Sequence, residues 1–125
     1  RVWDMVLVGV GDVGHAVAHY QGFENRGFRI AAVYDNDPAK IGTTIGGHVV
    51  QDTSNLVSSV KAAGIQIAML AVPANQAQGV ADLLVRAGVR AILNYAPITL
   101  VVPEGVRVQY NDPVINLQRM TYYLD

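Results

Sequence analysis

Met5-Val6-Leu7-Val8-Gly9-Val10-Gly11-Asp12-Val13-Gly14 is the stretch that decides how this chain folds. Four consecutive apolar residues end at a glycine, as in a strand buried on both faces of a parallel sheet. The glycines then follow the spacing G-x-G-x-x-G. Placed after a strand and at the opening of a helix, that spacing describes a dinucleotide-binding turn. Gly9 permits the tight bend, Gly11 lets a pyrophosphate approach the backbone, and Gly14 lets helix and strand pack closely. The phosphates then face the helix N-terminus, where free N–H groups and the positive end of the dipole favour an anion.

Outward from this turn, Arg29 to Tyr34 reads as a second strand, with Ile65 to Ala71, Ala91 to Asn94 and Val106 to Tyr110 as later ones and Val49-Val50 as a short one between. Helical periodicity is clearest from Ala74 to Ala87, where Ala77, Val80, Ala81 and Leu84 recur at spacings of three and four, and Gly88 stops the helix at its C′ position. Strands alternating with helices predict an α/β fold, a Rossmann-type doubly wound parallel sheet built through right-handed crossovers.

Residues 1–111 are expected to form this domain and residues 112–125 its terminal helix. Asp112-Pro113 supplies a capping acceptor followed by proline at the first helical position. Val114, Leu117, Met120 and Leu124 fall on one side of that helix, and Ile115, Tyr122 and Tyr123 on much of the other. Its own sheet covers one face, so the second requires either a partner subunit or a domain preceding Arg1. The first strand begins within a few residues of Arg1, which predicts a piece of a longer chain.

Asp35 stands 21 residues after Gly14, at the end of the second strand, where a carboxylate accepts hydrogen bonds from an adenosine ribose. It repels the 2′-phosphate of NADP, and neither Asn36 nor Asp37 offers a compensating arginine, so NAD(H) is the expected cofactor. Lys40 is the nearest cation. Ala71-Val72-Pro73-Ala74 and Asn94-Tyr95-Ala96-Pro97 close later strands and complete the cleft, which in open α/β sheets lies outside the strands' carboxyl ends. The predicted cofactor residues are therefore Gly9, Val10, Gly11, Asp12, Val13, Gly14, Asp35, Lys40, Val72, Pro73, Ala74, Asn94, Tyr95, Ala96 and Pro97.

Several chemistries are disfavoured. The absence of cysteine removes disulfides, thiolate catalysis and Cys-based zinc sites, and fits a cytoplasmic home. A net charge of -1 gives no excess of cations to neutralise nucleic-acid phosphates. No apolar run approaches the roughly 18–20 residues that cross a bilayer. His15 and His19 lie four apart without an evident third metal ligand, and His48 sits in a glycine-rich turn, so no metal site and no catalytic residues are predicted.

Across nearly its whole length the chain resembles the Rex family of redox-responsive repressors. The resemblance is carried by Gly9 to Gly14, Tyr20-Gln21-Gly22-Phe23, Gly27-Phe28, Tyr34 to Pro38, Lys40-Ile41-Gly42, Val72-Pro73-Ala74, Leu93 to Pro97 and Tyr122-Tyr123-Leu124. It implies a homodimer, an N-terminal winged-helix domain outside this chain that binds operator DNA, and a C-terminal helix exchanged between subunits. It further implies that NADH releases DNA whereas NAD⁺ permits binding, with Tyr20 and Asp112 taking part in the switch. Pro113 stands where the family usually has leucine, which bears on the contacts of Asp112. Two other classes remain open: the nucleotide-binding half of an NAD-dependent oxidoreductase, and a CoA-binding module of the succinyl-CoA synthetase type. Asp35 disfavours the latter, because CoA carries a ribose 3′-phosphate.

Overall fold

The computed structural model describes residues 1–124, with the side chains of Ile115 and Asn116 outside that description. In chain order the elements are β1 (Trp3–Val8), α1 (Asp12–Ala18), β2 (Phe28–Asp35), β3 (Thr44–Ile45), β4 (His48–Asp52), α2 (Leu56–Ala63), β5 (Ile67–Leu70), α3 (Ala74–Arg86), β6 (Ala91–Asn94), β7 (Arg107–Tyr110) and α4 (Pro113–Tyr122). The sheet runs β3-β4-β2-β1-β5-β6-β7. Every neighbouring pair is parallel except β3 with β4. The order reverses at β1, so the crevice between the two halves opens at the carboxyl ends of β1 and its neighbours.

Alternation along each strand builds two cores. Val6, Val8, Ala68, Leu70 and Ile92 point to one face, where they pack with Leu56 and Val60 of α2 and Ala77, Ala81 and Leu84 of α3. Met5, Leu7, Val33, Val50 and Met69 point to the other, where Val17 of α1 joins them. Because β1 is sandwiched between both layers, Val6, Leu7 and Val8 are fully buried, as its unbroken apolar run predicts.

The predicted stop of α3 is observed. The Gly88 N–H donates to Val85 O and the Val89 N–H to Leu84 O, both at 3.0 Å, while Gly88 adopts φ +98°. This pair of bonds satisfies the last carbonyls and buries Val89 beside Leu84. Only glycine takes that φ without strain, so Gly88→Ala is expected to lower stability by about 1–2 kcal/mol, measured by urea unfolding. An unchanged midpoint would contradict the assignment.

Most strand ends fall a residue or two from expectation, and two differences have a clear structural cause. β5 starts at Ile67, not Ile65, because the Ile65 N–H is drawn back to Val60 O at 3.3 Å to close α2. Thr44-Ile45 forms an edge strand that periodicity did not announce. It pairs with β4 through a two-residue Gly46-Gly47 turn in which both glycines have positive φ, the conformation that tight hairpins favour. His48 consequently begins a strand rather than lying within a turn.

The terminal helix begins as predicted. An Asp112 carboxylate oxygen accepts the Val114 N–H at 3.0 Å, with Pro113 at the first helical position. Val114, Leu117, Met120, Tyr122, Tyr123 and Leu124 are all exposed. Within one chain, neither apolar side of α4 gains the cover it needs; the predicted place of Ile115 lies outside the described side chains.

Candidate functional site

At the carboxyl ends of β1, β2, β5 and β6 lies a cleft of about 380 Å³. Its centre is the glycine turn. The Gly9 N–H donates to Tyr34 O at 2.8 Å, and φ +103° carries the chain over the end of β1. A Cβ on Gly9 would stand 2.5 Å from Ala71 O, and one on Gly14 would run into the carbonyl of Gly9. Both glycines are thus required by contacts within the chain. Gly11 differs: a Cβ there would meet nothing within 4 Å. The space beside Gly11 opens into the cleft and is left clear at the start of α1, whose N-terminus has no side-chain cap. That arrangement fits a pyrophosphate, which needs close backbone approach and unpaired N–H donors.

Asp35 ties the turn to β2. One carboxylate oxygen accepts the Val10 N–H at 2.9 Å and the other the Asp37 N–H at 2.8 Å. An ionised carboxylate has about four acceptor positions, so capacity remains for ribose hydroxyls. Asn36, Asp37 and Lys40 line this end of the cleft. At the opposite end the ladder continues past the strands: the Ala71 N–H reaches Val8 O and the Tyr95 N–H reaches Leu70 O, each at 2.8 Å. The walls there are Val72, Pro73, Tyr95, Ala96 and Pro97, with Gln76 from the first turn of α3.

Of the predicted cofactor residues, Gly9, Gly11, Asp12, Val13, Asp35, Lys40, Val72, Pro73, Tyr95, Ala96 and Pro97 line the cleft. Val10, Gly14, Ala74 and Asn94 do not. Val10 is buried in the core beneath the turn, Gly14 serves helix–strand packing, and Ala74 opens α3. Asn94 is completely buried; its Oδ1 accepts the Ala96 N–H at 2.9 Å and its Nδ2 donates to Ile98 O at 3.0 Å. It shapes the wall without facing the cleft. Gln76 was missed, although its place three residues after Pro73 put it in the first helical turn above a strand end.

Tyr20 and Asp112 lie outside this cleft. Tyr20 is half exposed, with its ring edge-on to Phe23 at 4.8 Å. It borders a second hollow of about 340 Å³ formed by Met5, Phe23, Phe28, Ile67, Met69 and Leu93. These residues lie on the α1 face of the sheet, while α2 and α3 pack on the other. His15 and His19 are exposed, their rings 4.3 Å apart. Among the described residues no group of three metal-ligating side chains occurs, and no helix is long and apolar enough to cross a membrane.

Residues 1–98 match the family model described as the CoA binding domain. The chain belongs to that family. Within it the chain is of the Rex type, as the sequence motifs imply. The redox-sensing transcriptional repressor Rex of Chloroflexus aggregans is 55% identical over 122 residues, which are 98% of this chain and 58% of that protein. The Rex of Streptomyces avermitilis is 46% identical over 121 residues, 97% of this chain and 48% of its own. This chain therefore spans about half the length of these Rex proteins. Among solved structures, RSP, a Rex-family repressor, in complex with β-NAD⁺ and operator DNA superimposes with a TM-score of 0.88 at 33% identity, covering 98% of this chain and 57% of RSP. RSP in complex with β-NADH gives 0.86 at the same identity, covering 98% and 59%.

Proposed function

We propose that this chain is the NAD(H)-binding sensor domain of a redox-responsive transcriptional repressor, a binding domain rather than an enzyme. The observation that carries the proposal is the Gly11 opening with Asp35 at one end: a phosphate cradle that none of the described residues fills, beside a carboxylate suited to an unphosphorylated ribose. Its similarity to RSP, a Rex-family repressor solved both with NAD⁺ and operator DNA and with NADH, supports the same assignment. Operator DNA would be held by a domain outside this chain, in the cytoplasm, with NADH releasing it.

In this scheme Gly9, Gly11, Asp12 and Val13 hold the pyrophosphate, Asp35 and Lys40 the adenosine end, and Val72, Pro73, Tyr95, Ala96 and Pro97 the redox-active half. The bound dinucleotide supplies a ring that is positively charged when oxidised and neutral when reduced. The carboxylate of Asp112, carried by an exchanged α4 to the partner's cleft, would interact differently with those two states, and Tyr20 borders the surface on which that helix would lie. The repressor would work as a homodimer in which α4 of each subunit covers its partner's open apolar face. The exposed apolar residues of α4 and the Met69–Leu93 hollow support this pairing.

A CoA-binding role is the second reading, favoured by the family description alone, and a thermal-shift comparison separates the two. A ligand at 100 times its dissociation constant stabilises by about 2.7 kcal/mol, on the order of 10 °C for a domain this size. NAD⁺ and NADH should produce the shift, and NADP and CoA should not; a shift with CoA alone would overturn the proposal. Asp35→Ala is expected to weaken NADH about 10- to 100-fold and to narrow the gap between NADH and NADPH in calorimetry. Stability should also fall by about 1–3 kcal/mol, because the Val10 and Asp37 N–H groups lose their acceptor. Unchanged affinity for both cofactors would place the ribose elsewhere.

A further inference from the structure

The connection from β6 to β7 joins parallel strands through residues 95 to 106 without a helix, whereas such crossovers usually contain one. Its first residues, Tyr95, Ala96 and Pro97, form a wall of the cleft. An irregular wall of this kind must be fixed by side chains, and the structure shows which. Asn94 holds its start. Further along, the side-chain amide of Gln78 on α3 makes two reciprocal bonds with the backbone of Val101: Nε2 donates to Val101 O and Oε1 accepts the Val101 N–H, each at 2.8 Å. The amide thus stands in for a neighbouring strand. Val101 itself is 78% exposed, so its own side chain does little to anchor it. One residue earlier, the Leu100 N–H donates to the Tyr110 hydroxyl at 2.9 Å. Gln78 does not line the cleft.

We propose that Gln78 is a positioning residue for the redox-active half of the cofactor: by clamping Val101 it sets the Tyr95–Pro97 wall, with the Tyr110 hydroxyl as a second fastening. This rests on the dinucleotide reading of the cleft. With the adenosine ribose at Asp35 on β2, the other half of the ligand lies across β1, against the ends of β5 and β6. Disturbing the clamp should therefore loosen one half of the site and spare the other.

The test is calorimetry on the whole chain with two ligands: NADH, which occupies both halves, and ADP, which occupies only the adenosine and phosphate half. Gln78→Leu preserves bulk while removing both bonds to Val101, together with the one that Nε2 donates to Asp82 Oδ1 at 2.9 Å on the same helix. It should weaken NADH about tenfold and leave ADP within about twofold of the unsubstituted protein. Tyr110→Phe, which deletes only the hydroxyl, should move NADH in the same direction by a smaller factor, and it keeps the test decisive if Gln78→Leu does not fold. Unchanged NADH affinity would overturn the proposal. Equal losses for NADH and ADP would overturn it as well, by indicating general destabilisation. If the unsubstituted chain binds neither ligand, the dinucleotide reading itself fails, a result distinct from the other two.

Discussion

Gly11→Val is expected to abolish NADH binding, by at least about 100-fold, while leaving the melting temperature of the ligand-free protein nearly unchanged. The two halves of this expectation have separate causes. Gly11 has φ -68° and ψ -160°, a conformation within the reach of any residue, and a Cβ on it meets nothing within 4 Å. The folded chain therefore tolerates the substitution. The branched side chain would instead occupy the space through which a pyrophosphate reaches the backbone, and a buried phosphate that loses its N–H donors has no substitute for them. Gly9→Val supplies the contrast. With φ +103° and Ala71 O 2.5 Å from the added Cβ, it should fail through loss of folding, not loss of binding. Calorimetry and thermal melts on the pair separate the two effects; a Gly11→Val chain that melts normally and binds NADH with full affinity would remove the phosphate from this turn.

The second large effect concerns assembly. The unaltered chain should scatter light as a dimer, twice the 13.4 kDa of one chain, and deleting residues 113–125 should yield monomers or aggregates. In one subunit Val114, Leu117 and Met120 are each about 60% exposed, and Tyr122, Tyr123 and Leu124 at least 80%. An amphipathic helix does not leave such residues in water without a partner surface. The hollow bordered by Met5, Ile67, Met69 and Leu93 offers a matching apolar face, and obligate interfaces resemble a domain core cut in two. A single-chain mass at micromolar concentration would contradict the exchanged-helix arrangement.

Much of this architecture was legible in the sequence because buried parallel strands and glycine turns leave local signatures. The run Met5 to Val8, the glycine spacing, the αL stop at Gly88 and the Asp112-Pro113 cap each act within a few residues, and each is found where expected. What escaped left no periodic signature. β3 is two residues long, too short for any period, and is defined by its hairpin partner. Asn94 reads as a cleft residue by position, yet it is turned inward because the helix-free connection after β6 needs an internal support. The clamp between Gln78 and Val101 spans 23 positions and has no sequence signal. The open apolar face over β5 and β6 is likewise visible only once α2 and α3 are both found on the opposite side of the sheet.

The central claim, that this domain senses redox state rather than merely holding a nucleotide, is tested most directly by titrating the unsubstituted chain with NADH and with NAD⁺ in a calorimeter. A ligand shifts an equilibrium only by its differential interaction with the two states, so a ratio sensor must distinguish two molecules that differ by one hydride. Both should saturate a single site per chain, with NADH tighter by at least about tenfold. Equal affinities for NADH and NAD⁺ would contradict the account.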